Sequence, residues 1–510
     1  MAVQNRIDSN STGLRITEEV IDCIGVLAGT EVWDPYDPNS YADFGGNVTT
    51  VSRRPIEPGR QRRKGTAVSI EAGGGFNIDL TQNNMTELLQ GLMFASIEET
   101  DVNTNPITDI TTGVLTATVL DTDFPVGTLL FGTGGLVSDQ NQFFEVTAAG
   151  AGTITVTPAP ADDASPDAGW QLQEVGFSFL IGDLDVLDSG ALPALTSTSK
   201  SFLDLKIQPG EWIFVGGDTS GAAGNQFLTA ANNGFARVRT VEANSLSVDL
   251  TDSTWVTEAN TAEFIHIFYG RVLHNQALAA DQQRRTYQLE RTLGEDANGT
   301  QSEYLEGQIF GEGTFNFPLE DKVNLDAVFT GLDHSTRDGT TGVKAGSHAG
   351  NLVSAEPYNT ATDIEYRLAV FTEGTTAPTP LATYIEELTL SVNNNVSPVK
   401  ALGTLGAIDV TAGGFDVSGS ITAIFDDIDA IATVRAVSDV TLNWRLVREN
   451  AGIHFDLPLL TLGEARATVE QDAAVKLPIS ADAATGASID ATALDHTLML
   501  TFFPYLPTLA

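Results

Sequence analysis

A single cysteine, Cys23, rules out an intrachain disulfide, so the covalent pattern does not call for an oxidising compartment. It sits in an apolar stretch, IDCIGVL, where a small buried hydrophobe is the expected role rather than a nucleophile. No apolar run approaches the ~20 residues that carry a helix across a bilayer. Residues 1–20 are polar and lack the apolar core of a secretion signal. The expectation is a chain made in the cytoplasm that stays soluble until it assembles. Basic residues are scarce, 26 against 67 acidic, giving a net charge of −41. Tight nucleic-acid binding draws on Lys and Arg that displace counterions from phosphate, so no broad face should grip DNA or an anionic membrane. A wall that DNA slides past fits the same numbers, and so does adaptation to a saline habitat.

Catalytic and metal signatures are missing too. The histidines, His266, His274, His334, His348, His454 and His496, are scattered, with no HExxH or paired Cys/His spacing. No GxSxG, Walker A or GxGxxG occurs. Asp101, Asn103, Asn105 and Asp109 begin like a calcium loop, but Pro106 stands in place of the turn glycine and Thr112 in place of the bidentate Glu. A polysaccharide-cleaving enzyme needs paired carboxylates in an aromatic-lined cleft, and the five tryptophans are well separated in sequence. The expectation is no enzyme activity, no cofactor and no metal.

What is present points to strands. Apolar residues make up 42%, enough for buried cores and unlike a disordered chain; the length suggests about three or four domains. Alternating runs recur at 66–70 (TAVSI), 313–317 (GTFNF), 387–392 (ELTLSV), 415–423 (FDVSGSITA) and 440–446 (VTLNWRL). Period-two alternation of β-branched and aromatic residues between Gly, Asn and Asp turns marks half-buried strands, so the class is mainly β with a few short helices. One unit recurs. Residues 75–95 (GFNIDLTQNNMTELLQGLMFA) and 414–437 (GFDVSGSITAIFDDIDAIATVRAV) each run from a Gly-Phe strand through an Asn- or Asp-rich turn into a short apolar helix. Asn83 or Asn84 and Asp426 or Asp427 suit the N-caps. Met85, Leu88, Leu89 and Leu92 form an i, i+3, i+4, i+7 stripe. Residues 313–332 read as a third, looser copy, and the repeat suggests a sheet with helices on its flank.

The middle differs. Residues 124–156 and 207–248 share one order: a short strand ending in Phe and Gly, a polar loop, an aromatic strand, a turn and a Thr/Ser/Val strand. They read as two small β-barrel-like modules inserted at 103–180 and 181–272, with seams at 159–168 and 188–201. A second local departure is basic. Within 53–64 lie Arg53, Arg54, Arg60, Arg62, Arg63 and Lys64, six of the 26 cations, opposed by Glu57. Pro55, Pro58 and Gly59 interrupt any helix or inner strand. An extended basic loop, 45–66, is expected to project and meet the acidic face of a neighbouring subunit.

Residues 384–425 (YIEELTLSVNNNVSPVKALGTLGAIDVTAGGFDVSGSITAIF) resemble siphophage tail tube (major tail) proteins. A strand ends in asparagines 393–395, a loop carries Leu402, Gly403 and Gly406, and a Gly-Phe strand leads to the acidic turn at Asp426 and Asp427 before a helix. Residues 65–95 and 284–332, the latter ending in a short helix, also resemble the family; the likeness covers about 13–100 and 284–510. The resemblance implies a β-sandwich tube domain, 1–102 plus 273–510, whose inner sheet lines a channel. It implies hexameric rings stacked head to tail through an extended loop, and contact with tail terminator, tape measure and distal tail proteins. Genomic DNA would pass through the lumen on ejection into the host without specific binding, and no membrane is involved. Asp79, Glu87, Asp409, Asp416 and Asp426 are candidates for an acidic lumen. The modules are extra to the simplest family pattern, as is a polar insertion at 480–495 before a last strand at 497–503; the modules should project outward, and deleting them should spare assembly. The inner tube of a contractile tail and, in another class, a surface adhesin or carbohydrate-binding protein are the alternatives.

Overall fold

The computed structural model describes residues 11–20, 24–54, 56, 61, 63–82, 84–188, 192–217, 225–296, 299–348 and 355–507. The protein is mainly β. The alternating runs lie in strands, Phe415 alone falling one residue before its own: Gly65–Asp79, Gly299–Phe317, Ile385–Asn393, Asp416–Ile424 and Val440–Arg448.

An antiparallel succession forms the main sheet: Ser40–Ser52, Gly65–Asp79, Asn324–Gly331, Gly299–Phe317, Ile385–Asn393, Asp416–Ile424, Lys476–Ala484 and Ala451–Gly463. Ala451–Gly463 also pairs with Val440–Arg448 and Met499–Phe503. The first half of Gly299–Phe317 leaves this sheet to pair with Tyr287–Asp296 and Asp333–Arg337, and Gly13–Glu18 adds to Tyr287–Asp296. Strands that switch sheets make the corners of packed β-layers. A common apolar core joins both sets of strands and includes Leu14, Phe76, Leu289, Phe310, Phe329, Leu390, Trp444 and Phe455.

Helix Thr86–Met93 buries Leu88, Leu89 and Leu92 together with Met85 in that core, as the stripe requires. Its cap differs from expectation. Met85 is the N-cap, and Asn84 turns back to close the preceding turn, accepting from Thr81 N at 3.1 Å and donating to Asp79 O at 2.7 Å; Asn83 lies outside the described residues. The second helix, Asp429–Ala436, starts after Ile428 and buries Ala430. Asp426 instead accepts from Thr383 N at 3.1 Å, and Asp427 reaches Asp429 N at 3.3 Å. The third copy ends in no helix. Asn324–Gly331 is a strand, because Leu325, Ala327 and Phe329 alternate inward against Asp326, Val328 and Thr330. The start of the polar stretch 480–495, residues 480–484, is likewise strand, within Lys476–Ala484, and the last strand is Met499–Phe503.

The strands from Asp109 to Phe268 form a twelve-stranded sheet of their own. Strand Gln171–Phe179 binds Thr128–Thr133 and, by its second half, Ile265–Phe268. Two apolar clusters flank it, one with Leu115, Phe144 and Trp170, the other with Phe179, Trp255 and Ile267. The expected separate modules therefore share a strand. Nor is 188–201 a seam throughout: Pro193–Thr196 is a strand between Asp185–Asp188 and Ser245–Thr251, with Pro193 at the first position, where a missing N–H is tolerated.

This sheet sits firmly on the C-terminal strands. Leu129, Val175, Trp212, Phe235 and Phe268 pack with Phe503 and Leu506, and Tyr505 stacks on Phe143 at 4.8 Å. Trp212 stacks on His454 at 4.1 Å. Arg237, fully buried, donates to Asp249 at 2.8 and 3.0 Å within the inserted sheet and to Asp456 at 3.1 Å beyond it. Arg239 adds Asp249 at 2.9 Å and Asp490 at 2.7 Å. Buried charges survive only when paired and hydrogen-bonded, and this cluster meets that condition across the junction.

Candidate assembly surfaces

Ser40–Ser52 and Gly65–Asp79 form a long hairpin, with Ser40 opposite Asn77 and Ser52 opposite Gly65. Its base is fixed. The register slips between Ala42 and Gly45, and Asp43 and Gly45 take positive φ. Opposite this bulge Gly74 packs so closely that a Cβ would lie 2.5 Å from Phe44 Cα. Bulges bend and twist a strand pair, which sets the hairpin's direction. The Arg291 guanidinium lies 4.4 Å over Phe44 and 5.1 Å over Tyr41, donates to Phe44 O at 3.2 Å and is held by Glu303.

Beyond Gly46 the two strands leave the body. From 47 to 51 every residue is exposed, and so are 66–68 on the return strand. Val48, Val51 and Val68 are about half exposed, and Ile56 at the tip is wholly so. A bracing loop touches the arm's root: Leu405 O accepts from Ile70 N at 2.8 Å, and Lys400 binds Glu71 at 2.9 Å. An isolated two-stranded hairpin is marginal in water, and exposed β-branched residues on an edge strand invite a partner. Arg53, Arg54, Arg63 and Lys64 are exposed at the far end of this ribbon; Arg60 and Arg62 lie outside the described residues.

The second surface is the outer face of the main sheet. Strand register assembles residues distant in sequence into transverse rows. One row runs Asp79, Asn324, Asn316, Thr389, Ser420, Ser480. The next runs Asn77, Asp326, Thr314, Ser391, Ser418, Asp482, and a third Gly75, Val328, Glu312, Asn393, Asp416. Neighbours in each strand, such as Phe76, Leu325, Phe315, Leu390, Val417 and Ile479, point into the core. The three rows hold five carboxylates and no Lys or Arg, and the other side chains are short. Several are locked: Asn77 donates to Asp326 at 2.8 Å and to Asn324 at 2.9 Å, and Asn316 donates to the same two residues at 2.8 and 3.0 Å.

Of the carboxylates singled out from sequence, Asp79 and Asp416 lie on this face. Lys322 at the sheet's end binds Asp79. Glu87 is exposed on the first helix and accepts from Gln90 at 2.8 Å, Asp409 binds Arg284 at 3.1 Å in the bracing loop, and Asp426 accepts from the distant Thr383 N. Sequence reasoning missed Glu312, Asp326 and Asp482. Alternation was the available signal, but only register shows that their rows coincide. The calcium-like segment is spent on the fold: Asp101 faces Lys206 at 3.3 Å, and Asn103 accepts from Leu172 N at 2.8 Å.

An armed, mainly β chain with a short-chained acidic sheet face has the features of an assembly part. No curated protein matches the chain. The profile of the phage tail tube protein matches residues 9–493, nearly the whole length. No helix among the described residues is long and apolar enough to cross a membrane. The chain belongs to the phage tail tube protein family and is a structural subunit of a bacteriophage tail tube.

Proposed function

We propose that six copies close a ring, that rings stack through the basic hairpin, and that the acidic sheet face lines the channel through which DNA is ejected. The arm is the observation that carries this reading. A cationic ribbon with exposed valines leaves the body of a chain whose net charge as a whole is −41, so its complement is another copy of the same body. Such a contact is heterologous, and repeated heterologous contacts generate an open stack. The channel assignment is supported by the three rows of Ser, Thr, Asn and carboxylate, whose repulsion of phosphate acts within about 8–10 Å at physiological salt. The inserted sheet, 103–272, faces outward as decoration, and tail terminator, tape measure and distal tail proteins meet the tube at its ends and inside it.

Negative-stain microscopy of the purified protein should show rings or tubes, with the Arg53, Arg54, Arg63 and Lys64 quadruple Ser variant remaining as subunits or single rings. A dispersed monomer at every concentration would sink the reading. Face assignment is tested in a Cys23→Ser background. Thr389→Cys and Ser420→Cys should react with a bulky maleimide in monomers and be shielded in assembled tubes.

A further inference from the structure

The junction beneath the inserted sheet holds a group of side chains that the tube function does not use. Strand Arg271–His274 returns from the insertion and pairs with Met499–Phe503, His274 opposite Met499. The segment before that last strand folds over the pair. Asn275 Oδ1 accepts from Thr497 N at 2.8 Å and Leu498 N at 3.0 Å, His496 O accepts from Gly486 N at 3.2 Å, and Asp495 O accepts from Thr485 Oγ1 at 2.9 Å. These bonds bring one ligand-type atom each of His274, Asp495 and His496 within 4.8 Å of one another.

His496 is wholly buried, and neither ring nitrogen has a hydrogen-bond partner. Leaving a buried polar group unsatisfied is costly, so an imidazole whose Nδ1 has no hydrogen-bond partner and whose Nε2 reaches only Asp456, at 3.8 Å, calls for a use. One side of the ring faces Asp456, whose Oδ2 lies 3.8 Å from Nε2; the other ring neighbour is His274, with centroids 5.7 Å apart. His274 Nδ1 lies 3.2 Å from Asn275 O, which leaves Nε2 for another partner. Metal-binding histidines usually point their second nitrogen at a carboxylate or a backbone carbonyl, and both rings have such a group in place. Two imidazoles and one carboxylate suit a borderline transition ion such as zinc; calcium and magnesium prefer oxygen donors.

We propose that His274, Asp495 and His496 bind a divalent transition-metal ion that fastens the inserted sheet's return strand to the segment before the last strand. Tetrahedral zinc–nitrogen bonds of about 2.0–2.1 Å place ligand atoms about 3.4 Å apart. His274 and Asp495 are only half-buried, so their rotamers close the gap while His496 stays fixed. A fourth position remains for water.

The test uses the full chain, stripped with chelator, dialysed against zinc and analysed for metal content and melting temperature. One zinc per chain and a rise of several degrees are expected, with equal calcium producing neither. His274→Gln and Asp495→Asn should each weaken zinc binding at least tenfold while keeping the wild-type circular dichroism spectrum. Both changes are at half-buried positions, so the test avoids replacing the buried His496. Cobalt should give the intense visible bands of a tetrahedral site. No retained zinc, or zinc retained equally by both variants, overturns the proposal; the second outcome would place the ion on surface carboxylates.

Discussion

Arg237→Met should unfasten the inserted sheet. The guanidinium is fully buried and makes two bonds to Asp249 and two to Asp456. Asp249 keeps Arg239 at 2.9 Å after the change. Asp456 is left with His496 at 3.8 Å as its nearest charged or chargeable neighbour among those described, so the loss concentrates on one buried carboxylate. Breaking a buried pair from one side typically costs ~3–5 kcal/mol, whereas replacing both members by apolar groups is often neutral. The single variant should lose about that amount in urea unfolding followed by tryptophan fluorescence, since Trp212 lies in the same junction. Arg237→Met with Asp456→Leu should recover most of it, giving a coupling of roughly 2 kcal/mol or more in the double-mutant cycle. A single variant within about 1 kcal/mol of wild type, or a double variant no better than the single, would refute the reasoning.

Glu174, buried beside Tyr269, has its carboxyl pushed up to about 7 by burial. A folded value above the unfolded 4.5 means its stabilisation is full below 4.5 and is lost as pH rises towards 7; Glu174→Gln, measured by melting temperature across pH 5–8, should flatten that decline. Gly74→Ala, with no room for a Cβ beside Phe44, should cost about 1–3 kcal/mol in denaturant unfolding and misdirect the arm, lowering tube yield in sedimentation even under conditions where the body stays folded. Replacing Asp326, Glu312 and Asp482 by Lys should leave tube assembly intact by microscopy and slow DNA ejection from reconstituted particles. Deleting 103–272 alone should give insoluble protein, because it uncovers Phe503, Tyr505 and Leu506 and unpairs Asp456; adding polar changes at those positions should restore soluble, ring-forming subunits, scored by gel filtration and microscopy.

The sequence made strand character legible wherever one face was buried, because period-two alternation is local information. It also gave the first helix, whose four apolar positions share one face. It failed where two periods compete. In 324–331 an apolar run after an acidic turn imitates a helix start, and only pairing with Gly65–Asp79 and Gly299–Phe317 selects the strand. The caps were misjudged because Asn84 had a better use in its own turn. The basic arm was visible as charge and proline spacing, but its exposed valines required knowing that no layer covers them. Histidines 274 and 496 looked scattered because the pairing that brings them together, Arg271–His274 with Met499–Phe503, links strands far apart in sequence. Glu312, Asp326 and Asp482 were hidden for the same reason: register is a long-range property.

The arm also bears on timing. Its sticky valines would make premature clumping easy if two free subunits met ribbon to ribbon. If subunits join through the ribbon as proposed, the shared positive sign of the ribbon ends would push identical tips apart at the moment of encounter while the acidic bodies would draw them in. A subunit awaiting assembly would thereby be steered from its most adhesive mistake, and more salt would weaken the steering in both directions.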